Sequence, residues 1–463
     1  MMKIRTLSAA VALVALGAAS SATADDAMTL TRAAELAINT NPEIMQAIQN
    51  REAIAFEQRQ ARGLYLPRAW AEASAGARQL DNRSRRIADL DDHTLYPMEL
   101  SLNAEWVLFD SFGRRGEVEH QAGRLDGASH RVRERAEFIS LEVAREYINY
   151  GLQERLVALA RENVAYHRDT VGRLQRGVTG LTISETDLQQ ARERLSAAER
   201  RLTEAESSRT VAVITFRRLV GLPITDYLSP DAYLETMPAS LDDAIGTARE
   251  NNPDMHIQQS AISAAEGRLM TARSEYLPTV SVEGRARHGE DLDTIDGETS
   301  DFQIRAVVRW EFYNGGIYQA AEQEELRRVS EERFRLHQVA REVEEQVRLS
   351  WDRLESEQSL MQVLTDQTNL SIQVVDGYER QFPTGRRSLL DILDAQNTRI
   401  NVAEALAVSE HSHLFAQYRL LASMGELLNT LNLDSPSAAE ADAREAIGAP
   451  DVGPGEDQYR RRP

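Results

Sequence analysis

The 463-residue sequence contains no cysteine, and its only lysine is Lys3. The absence of cysteine excludes a disulfide framework, thiolate metal sites and a lipid-bearing N-terminal cysteine. After the first 24 residues the sequence also has no run of 18 or more apolar residues. No transmembrane helix is therefore predicted, and a membrane role would have to come from β-strands.

The N-terminal residues 1–24 are predicted to be a secretory signal peptide. Lys3 and Arg5 give a positive start, residues 7–19 are apolar, and Ala22-Thr23-Ala24 has the form of a cleavage site. Export places the mature chain in a bacterial envelope. The full sequence has a formal net charge of −20, which makes nucleic acid an unsuitable partner, because a phosphate backbone is bound by basic surfaces.

The sequence repeats one plan twice. The segment "LTRAAELAINTNPEI" matches "LDDAIGTARENNPDM" at an offset of 211, as "ARGLYLP" matches "ARSEYLP", and Trp106 matches Trp310 at an offset of 204. Two structural repeats are predicted, over residues 25–237 and 238–433. The remaining residues 434–463 hold Pro, Gly and charges without a period, and are predicted to be a disordered periplasmic tail.

Each repeat contains two segments in which apolar and polar residues alternate. In "MELSLNAEWVLF" one face carries Leu100, Leu102 and Trp106, and the other carries Ser101 and Asn103. This period of two indicates β-strands with one apolar face. The four strands are predicted at about residues 67–79, 97–109, 278–288 and 301–312.

Long helices make up the rest of each repeat. They are predicted at about residues 114–178, 184–221, 317–381 and 388–430, where proline is rare and Glu, Arg, Ala, Leu and Gln dominate. A run of 65 helical residues is about 95 Å long, which exceeds an ordinary globular domain. Leu188, Leu195 and Leu202 recur every seven residues and indicate a coiled-coil seam.

Four amphipathic strands suit a transmembrane barrel but cannot close one. An open sheet edge in hydrocarbon leaves backbone N–H and C=O groups unpaired, so other copies of the chain must complete the sheet. Three copies would supply 12 strands. The charged helices cannot lie in lipid and must extend the tube into the aqueous compartment. The predicted fold class is mainly α with a transmembrane β part.

The sequence resembles the TolC family of outer-membrane efflux and secretion channels over about residues 28–433. The resemblance rests on the doubled "NP" segments, on "YLP" before the first strand of each repeat, and on "LFDSFGRR" and "FYNGGIY" at the start of the long helices. It also rests on the helix turns "RGVTGLTISETDLQQA" and "RQFPTGRRSLLDILDAQ". The second turn, with "NTRI" after it, resembles the branch that serves type I secretion and adhesin export.

The resemblance implies a homotrimer with one shared 12-stranded barrel in outer-membrane lipid, continued by an α-helical barrel across the periplasm. It further implies a periplasmic adaptor protein and an inner-membrane ABC exporter or proton-driven pump as partners. The adaptor would dock on the two helix turns, which carry Gly180, Leu181, Thr182, Gly385, Arg386, Ser388 and Leu389.

Two carboxylates stand out in the second turn, at Asp391 and Asp394. Leu393 belongs to a seven-residue apolar repeat, and the repeat places both carboxylates and Arg387 away from its seam. The resemblance implies that Asp391 and Asp394 narrow and charge the periplasmic entrance, and that Arg387 holds it closed with Asp187 as a possible partner. The alternative is an ordinary solvated helix face.

An enzyme is not predicted, because no His, Ser or metal-ligand cluster accompanies these acids and no Gly-rich phosphate loop is present. No cofactor and no metal site are predicted either. Three classes of function remain. The first is a trimeric exit duct for type I secretion or tripartite efflux, including drug efflux with a proton-driven pump; the second is a passive porin, and the third is a periplasmic coiled-coil scaffold.

Overall fold

The computed structural model describes most of the chain beyond the N-terminal segment. The predicted signal peptide, residues 1–24, lies outside the described residues. The described residues are 27–81, 83–87, 94–179, 184–224, 226–233, 237–292 and 297–450.

Both repeats place two short helices first, then strands, then two long helices. The first repeat contains α1 (Leu30–Thr40), α2 (Pro42–Gly63), β1 (Arg68–Ala75), β2 (Arg78–Gln79), α3 (Arg83–Ile87), β3 (Thr94–Leu95), β4 (Met98–Phe109), α4 (Gly113–Thr179) and α5 (Glu185–Val220). The second contains α6 (Leu241–Asn251), α7 (Pro253–Ser274), β5 (Thr279–Glu290), β6 (Glu298–Arg309), α8 (Ile317–Gln381), α9 (Leu389–Met424) and α10 (Leu427–Thr430).

The doubled "NP" segments separate the two short helices of each repeat. Asn41 and Asn252 are extended, with φ of −68° and −67°, and each caps a helix whose first residue is proline. Their amide groups also donate to the returning long helices, to Leu219 O at 3.3 Å and to Ser423 O at 3.0 Å. One asparagine therefore starts a helix and fixes it to its neighbour.

The four long strands form one antiparallel sheet in the order β1-β4-β5-β6. Arg68 lies opposite Glu105, Glu105 opposite Glu283, and Glu283 opposite Arg305, so one face of the sheet is polar. The other face carries exposed apolar side chains, among them Leu102 and Ile304. β6 begins and ends three residues before the predicted segment, while β1 ends at Ala75 and β2 pairs separately with β3.

Two equivalent tryptophans fasten the sheet to the helices below it. Trp106 Nε1 donates to Tyr65 O at 2.9 Å, and Trp310 Nε1 donates to Tyr276 O at 3.1 Å. Each carbonyl lies in the connection between a short helix and the strand that follows it. The junction is therefore built in the same way in both repeats.

The long helices extend from this junction and pack in pairs. α4 has 67 residues and α8 has 65, so each is about 100 Å long. The largest buried cluster lies near the short helices and includes Tyr147, Phe216 and Tyr418. Every helix in the described part of the chain is too short or too polar to span a lipid bilayer.

The prediction of a disordered tail over residues 434–463 is wrong for residues 434–450. This segment folds against α4, where the buried carboxylate of Asp126 accepts the N–H groups of Ala443 at 2.8 Å and Arg444 at 3.1 Å. Ala443 packs against Ala122 and Leu125. Hydrogen bonds to a distant helix fix a segment whose own composition has no period.

Gly425 ends α9 and provides a test of how the returning helix fits its neighbour. Its φ is +76°, and an added Cβ would lie 2.5 Å from Asn251 O. Its equivalent, Gly221, has φ of +86° and no atom within 4 Å of that position. A left-handed conformation costs a non-glycine residue about 1–2 kcal/mol, and Gly425→Ala adds a backbone clash.

We therefore expect Gly425→Ala to lower the midpoint of thermal unfolding more than Gly221→Ala does. Circular dichroism at the helical bands measures both variants. Equal shifts would contradict the close packing of Gly425 against the α6–α7 junction.

Candidate functional site

The predicted site lies where α8 turns back into α9. A 3₁₀ turn, Phe382–Thr384, follows α8, and Gly385 adopts φ of +71° to reverse the chain. Ser388 then caps α9, because its Oγ accepts the N–H of Asp391 at 3.2 Å while its own N–H donates to Asp391 Oδ2 at 2.9 Å. This reciprocal capping box fixes the start of the helix.

Asp391 is therefore both a helix cap and a surface charge. The N–H and hydroxyl of Ser388 and the nearby Arg387 guanidinium lower the pKa of the Asp391 carboxyl. The lowered pKa keeps the Asp391 carboxylate ionised to more acidic pH than usual, so Asp391 carries a negative charge at neutral pH. Asp391 and Asp394 both line a shallow groove between α8 and α9, beside Tyr378.

Asp394 has a partner in the first repeat. Arg194 Nη2 on α5 lies 3.3 Å from Asp394 Oδ1. Seven residues further along each helix, Arg201 Nη1 donates to Asn401 Oδ1 at 3.0 Å. These two polar contacts run along the same pair of helices, one heptad apart, and connect the first repeat to the second.

Three further contacts extend this connection through α4. Tyr166 Oη donates to Glu379 Oε1 at 2.9 Å, Arg399 Nη2 donates to Glu162 Oε1 at 2.8 Å, and the buried amide of Gln396 donates to Asn163 at 3.4 Å. We call these three and the two contacts of α5 with α9 the interrepeat contacts. They lie along helices that two apolar clusters also join across the repeats, one with Leu174, Leu188 and Leu393 and one with Leu159 and Ile400.

Arg387 and Asp187 are not brought together within one chain. The Arg387 guanidinium lies over the Tyr378 ring, 4.1 Å from its centroid, and its Nε donates to Gln381 at 3.4 Å. Asp187 lies in the first turn of α5, and its side chain makes no hydrogen bond or ion pair with another described residue. Arg387 is therefore held on its own hairpin by stacking on an aromatic ring.

The remaining predicted docking residues differ in accessibility. Gly385, Arg386 and Ser388 are exposed at the end of the hairpin, whereas Leu389 is buried against Leu188. Gly180, Leu181 and Thr182 lie outside the described residues. Sequence reasoning missed Arg194 and Arg201, although their spacing of seven residues repeats that of Asp394 and Asn401.

The chain matches the family model described as outer membrane efflux protein, over residues 33–222 and 244–426. These two ranges fall in the two structural repeats. The chain belongs to this family. The predicted resemblance to TolC-type channels is thereby confirmed, as are the outer-membrane location, with extension into the periplasm, and the absence of an enzymatic role.

Individual relatives agree with the family. The outer membrane efflux protein BepC of Brucella suis is 24% identical over 327 residues, covering 69% of this chain and 70% of BepC. The alkaline protease secretion protein AprF of Pseudomonas aeruginosa is 23% identical over 403 residues, covering 83% of this chain and 82% of AprF.

Solved structures show the same fold at lower sequence identity. CusC has a TM-score of 0.75 at 15% identity, covering 86% of this chain and 92% of CusC. The outer membrane protein VceC of Vibrio cholerae has a TM-score of 0.72 at 16% identity, covering 86% of this chain and 96% of VceC. This efflux protein therefore has the fold of outer-membrane channels.

The interrepeat contacts generate a prediction for local stability. Exposed polar pairs contribute about 0.2–1 kcal/mol each, so removing the two arginine contacts of α5 should raise amide exchange in α9 by about twofold to thirtyfold. We expect this in the double variant Arg194→Gln, Arg201→Gln, measured by hydrogen–deuterium exchange over residues 389–401.

The matched control is Arg168→Gln, which removes an exposed contact between Arg168 and Glu199 within the first repeat. This control should leave exchange in α9 unchanged. Equal amide exchange in α9 for the double variant and the control would show that the α5 arginines do not stabilise the second repeat.

Proposed function

We propose that this efflux protein is a trimeric exit duct of the bacterial outer membrane, serving type I protein secretion or tripartite efflux. The observation that carries the proposal is one sheet with an apolar face and two free edges, joined to helices of about 100 Å. A passive porin needs no such helices. A periplasmic scaffold needs no such sheet.

The sheet supports closure by other copies of the chain. β1 and β6 each have a neighbour on one side only, so each presents a row of unpaired backbone groups along its outer edge. In hydrocarbon each unpaired group costs several kcal/mol. Pairing β6 of one subunit with β1 of the next satisfies both rows, and three subunits make a 12-stranded barrel.

The long helices support the same assembly. α8 carries large apolar side chains that are exposed in one chain, although the helix is highly charged overall. A second helical surface can cover these side chains in a closed ring of subunits, because exposed apolar patches of this kind mark interfaces. The side chains are Phe334, Leu349, Leu360, Val363 and Leu370.

A duct of this kind needs protein partners, because it cannot select cargo or supply energy itself. The chain provides a passage, and a pump in the inner membrane must select and energise the cargo through a periplasmic adaptor. The exposed hairpin end at Gly385, Arg386 and Ser388 is a suitable docking surface, with Leu389 supporting it from the core. The turn at Gly180, Leu181 and Thr182 is proposed as its counterpart in the first repeat.

Type I secretion is the system that we favour, because the second turn resembles that branch and because AprF is a protease secretion protein. In this system the inner-membrane partner is an ABC exporter. BepC is described as an efflux protein, and efflux with a proton-driven pump is the alternative.

Deletion of the gene tests the duct directly. We expect the deletion strain to lose exported protein from the medium or to accumulate toxic compounds, and deletion of the matching adaptor to give the same phenotype. Quantitative proteomics of the medium and growth inhibition assays measure the two cargo classes. A permeability defect that does not depend on any adaptor would favour a passive porin.

Asp391 and Asp394 are proposed to form the periplasmic entrance. Three subunits would bring six carboxylates towards one axis and attract cations. In one chain Asp394 is partly compensated by Arg194, while Asp391 remains charged on its cap. Arg387 and Asp187 are proposed as the tip gate, which requires Arg387 to contact a neighbouring subunit.

We expect Asp391→Ala with Asp394→Ala to lower cation selectivity in planar lipid bilayers, because the entrance loses its fixed negative charge. Arg387→Ser should raise conductance by loosening closure. Loss of the Asp391 cap is controlled by Ser388→Ala, which removes the same capping box without changing charge. Unchanged selectivity in an assembled double variant would show a solvated helix face outside the tube.

A further inference from the structure

The polar face of the sheet carries five arginines and five acids. Eight of these ten side chains form four ion pairs, and each pair crosses from one strand to the next. The pairs are Arg68 with Glu105 at 2.6 Å, Arg285 with Glu99, Arg305 with Glu283 at 2.6 Å, and Arg287 with Asp301 at 3.2 Å. Together they join all three strand boundaries within one chain.

The two charges left over lie on the two free edges. Glu72 is on β1 and Arg309 is on β6, both on the polar face and both exposed. Neither forms an ion pair or side-chain hydrogen bond with another described residue. The unsatisfied charges are therefore opposite in sign and lie on the strands that meet between subunits.

We propose that Glu72 of one subunit lies beside Arg305 and Arg309 of its neighbour and completes the ring of ion pairs around the lumen. This inference rests on the trimeric barrel proposed above. It adds the register in which the subunits join, which the sheet of one chain does not contain.

Barrel geometry gives the register shift per subunit, which is the number of residues by which the pairing moves along β1 from one subunit to the next. Barrel strands tilt by about 35–45°, rise about 3.3 Å per residue and lie about 4.8 Å apart. A circuit of 12 strands then shifts the register by roughly 12–17 residues, or about four to six per subunit. The shift must be even, because an odd shift would pair the polar face with the apolar face.

The direction of the stagger follows from chirality. Gly76 N–H donates to Pro97 O, so the polar-face residues of β1 point their N–H groups towards β4. With that face inward and the helices below, L-residue geometry places β4 to the left of β1 as seen from outside. Right-handed twist tilts the strands to the right as seen from outside. A line of paired residues runs perpendicular to the strands, so it moves away from the helices at each strand to the left.

Arg68, Glu105, Glu283 and Arg305 form one line of paired residues across the four strands. Because this line climbs, it reaches β1 of the neighbouring subunit above that subunit's Arg68, at a higher residue number. A shift of four places Glu72 of the neighbour opposite Arg305. A shift of six places it opposite Val307, between Arg305 and Arg309. Arg305 already binds Glu283, whereas Arg309 has no ion-pair partner among the described residues, and the shift of six brings it within side-chain reach of Glu72.

Cysteine cross-linking tests this register, since the natural chain has no cysteine to interfere. Glu72→Cys is combined in turn with Thr299→Cys, Asp301→Cys, Arg305→Cys and Val307→Cys in the full-length protein. Disulfide formation needs Cα atoms within about 7 Å. We expect covalent trimers with Arg305→Cys or Val307→Cys, and none with Thr299→Cys or Asp301→Cys.

The control pairs Glu72→Cys with Ser101→Cys, which lie opposite each other within one chain and should form an intramolecular disulfide. A trimer that cross-links most strongly at Thr299→Cys or Asp301→Cys, or at none of the four positions while the control forms, would overturn the proposed register. A protein that remains monomeric throughout would instead overturn the proposed trimeric duct.

Charge reversal tests the ion pair itself. We expect Glu72→Arg and Arg309→Glu each to lower the temperature at which the trimer dissociates, and the combination of both to restore most of the loss. Semi-native gel electrophoresis after heating measures this shift. Additive losses in the combined variant would contradict pairing between the two residues.

Discussion

An open four-stranded sheet in a membrane needs hydrogen-bond partners for the backbone N–H and C=O groups along its two edges, and the rest of the proposed architecture depends on that requirement. Hydrocarbon offers no hydrogen-bond partner to the outer edges of β1 and β6. In the proposed trimer, neighbouring subunits supply those partners. In that assembly the long helices follow the arrangement of the strands that they continue, so closure of the sheet would also determine how the helices are arranged.

The two repeats use the same local structures at equivalent positions. Asn41 and Asn252 cap equivalent helices and bind equivalent returning helices, and Trp106 and Trp310 join the strands to the short helices. The two repeats meet near the turns between their long helices, where Asp394 and Asn401 of α9 contact Arg194 and Arg201 of α5. These contacts lie at the end of the helices that is proposed to control passage.

Sequence periodicity was sufficient to predict strands and long helices, because a period of two or seven is a local property. It was not sufficient for Arg194 and Asp394, which are 200 residues apart and meet only after the hairpins have packed. The segment around Ala443 was missed for a similar reason, because its order depends on Asp126 of α4. The contact of Arg387 with the Tyr378 ring could not be predicted either, because it depends on how α8 is rotated about its axis relative to the turn.

The mass of the native assembly tests the central requirement most directly. Native mass spectrometry of the protein extracted from outer membranes in mild detergent gives the number of chains per particle. The account predicts three chains, whose 12 long strands leave no free sheet edge. A membrane-inserted particle that contains a single chain would contradict it, because β1 and β6 would then face lipid unpaired.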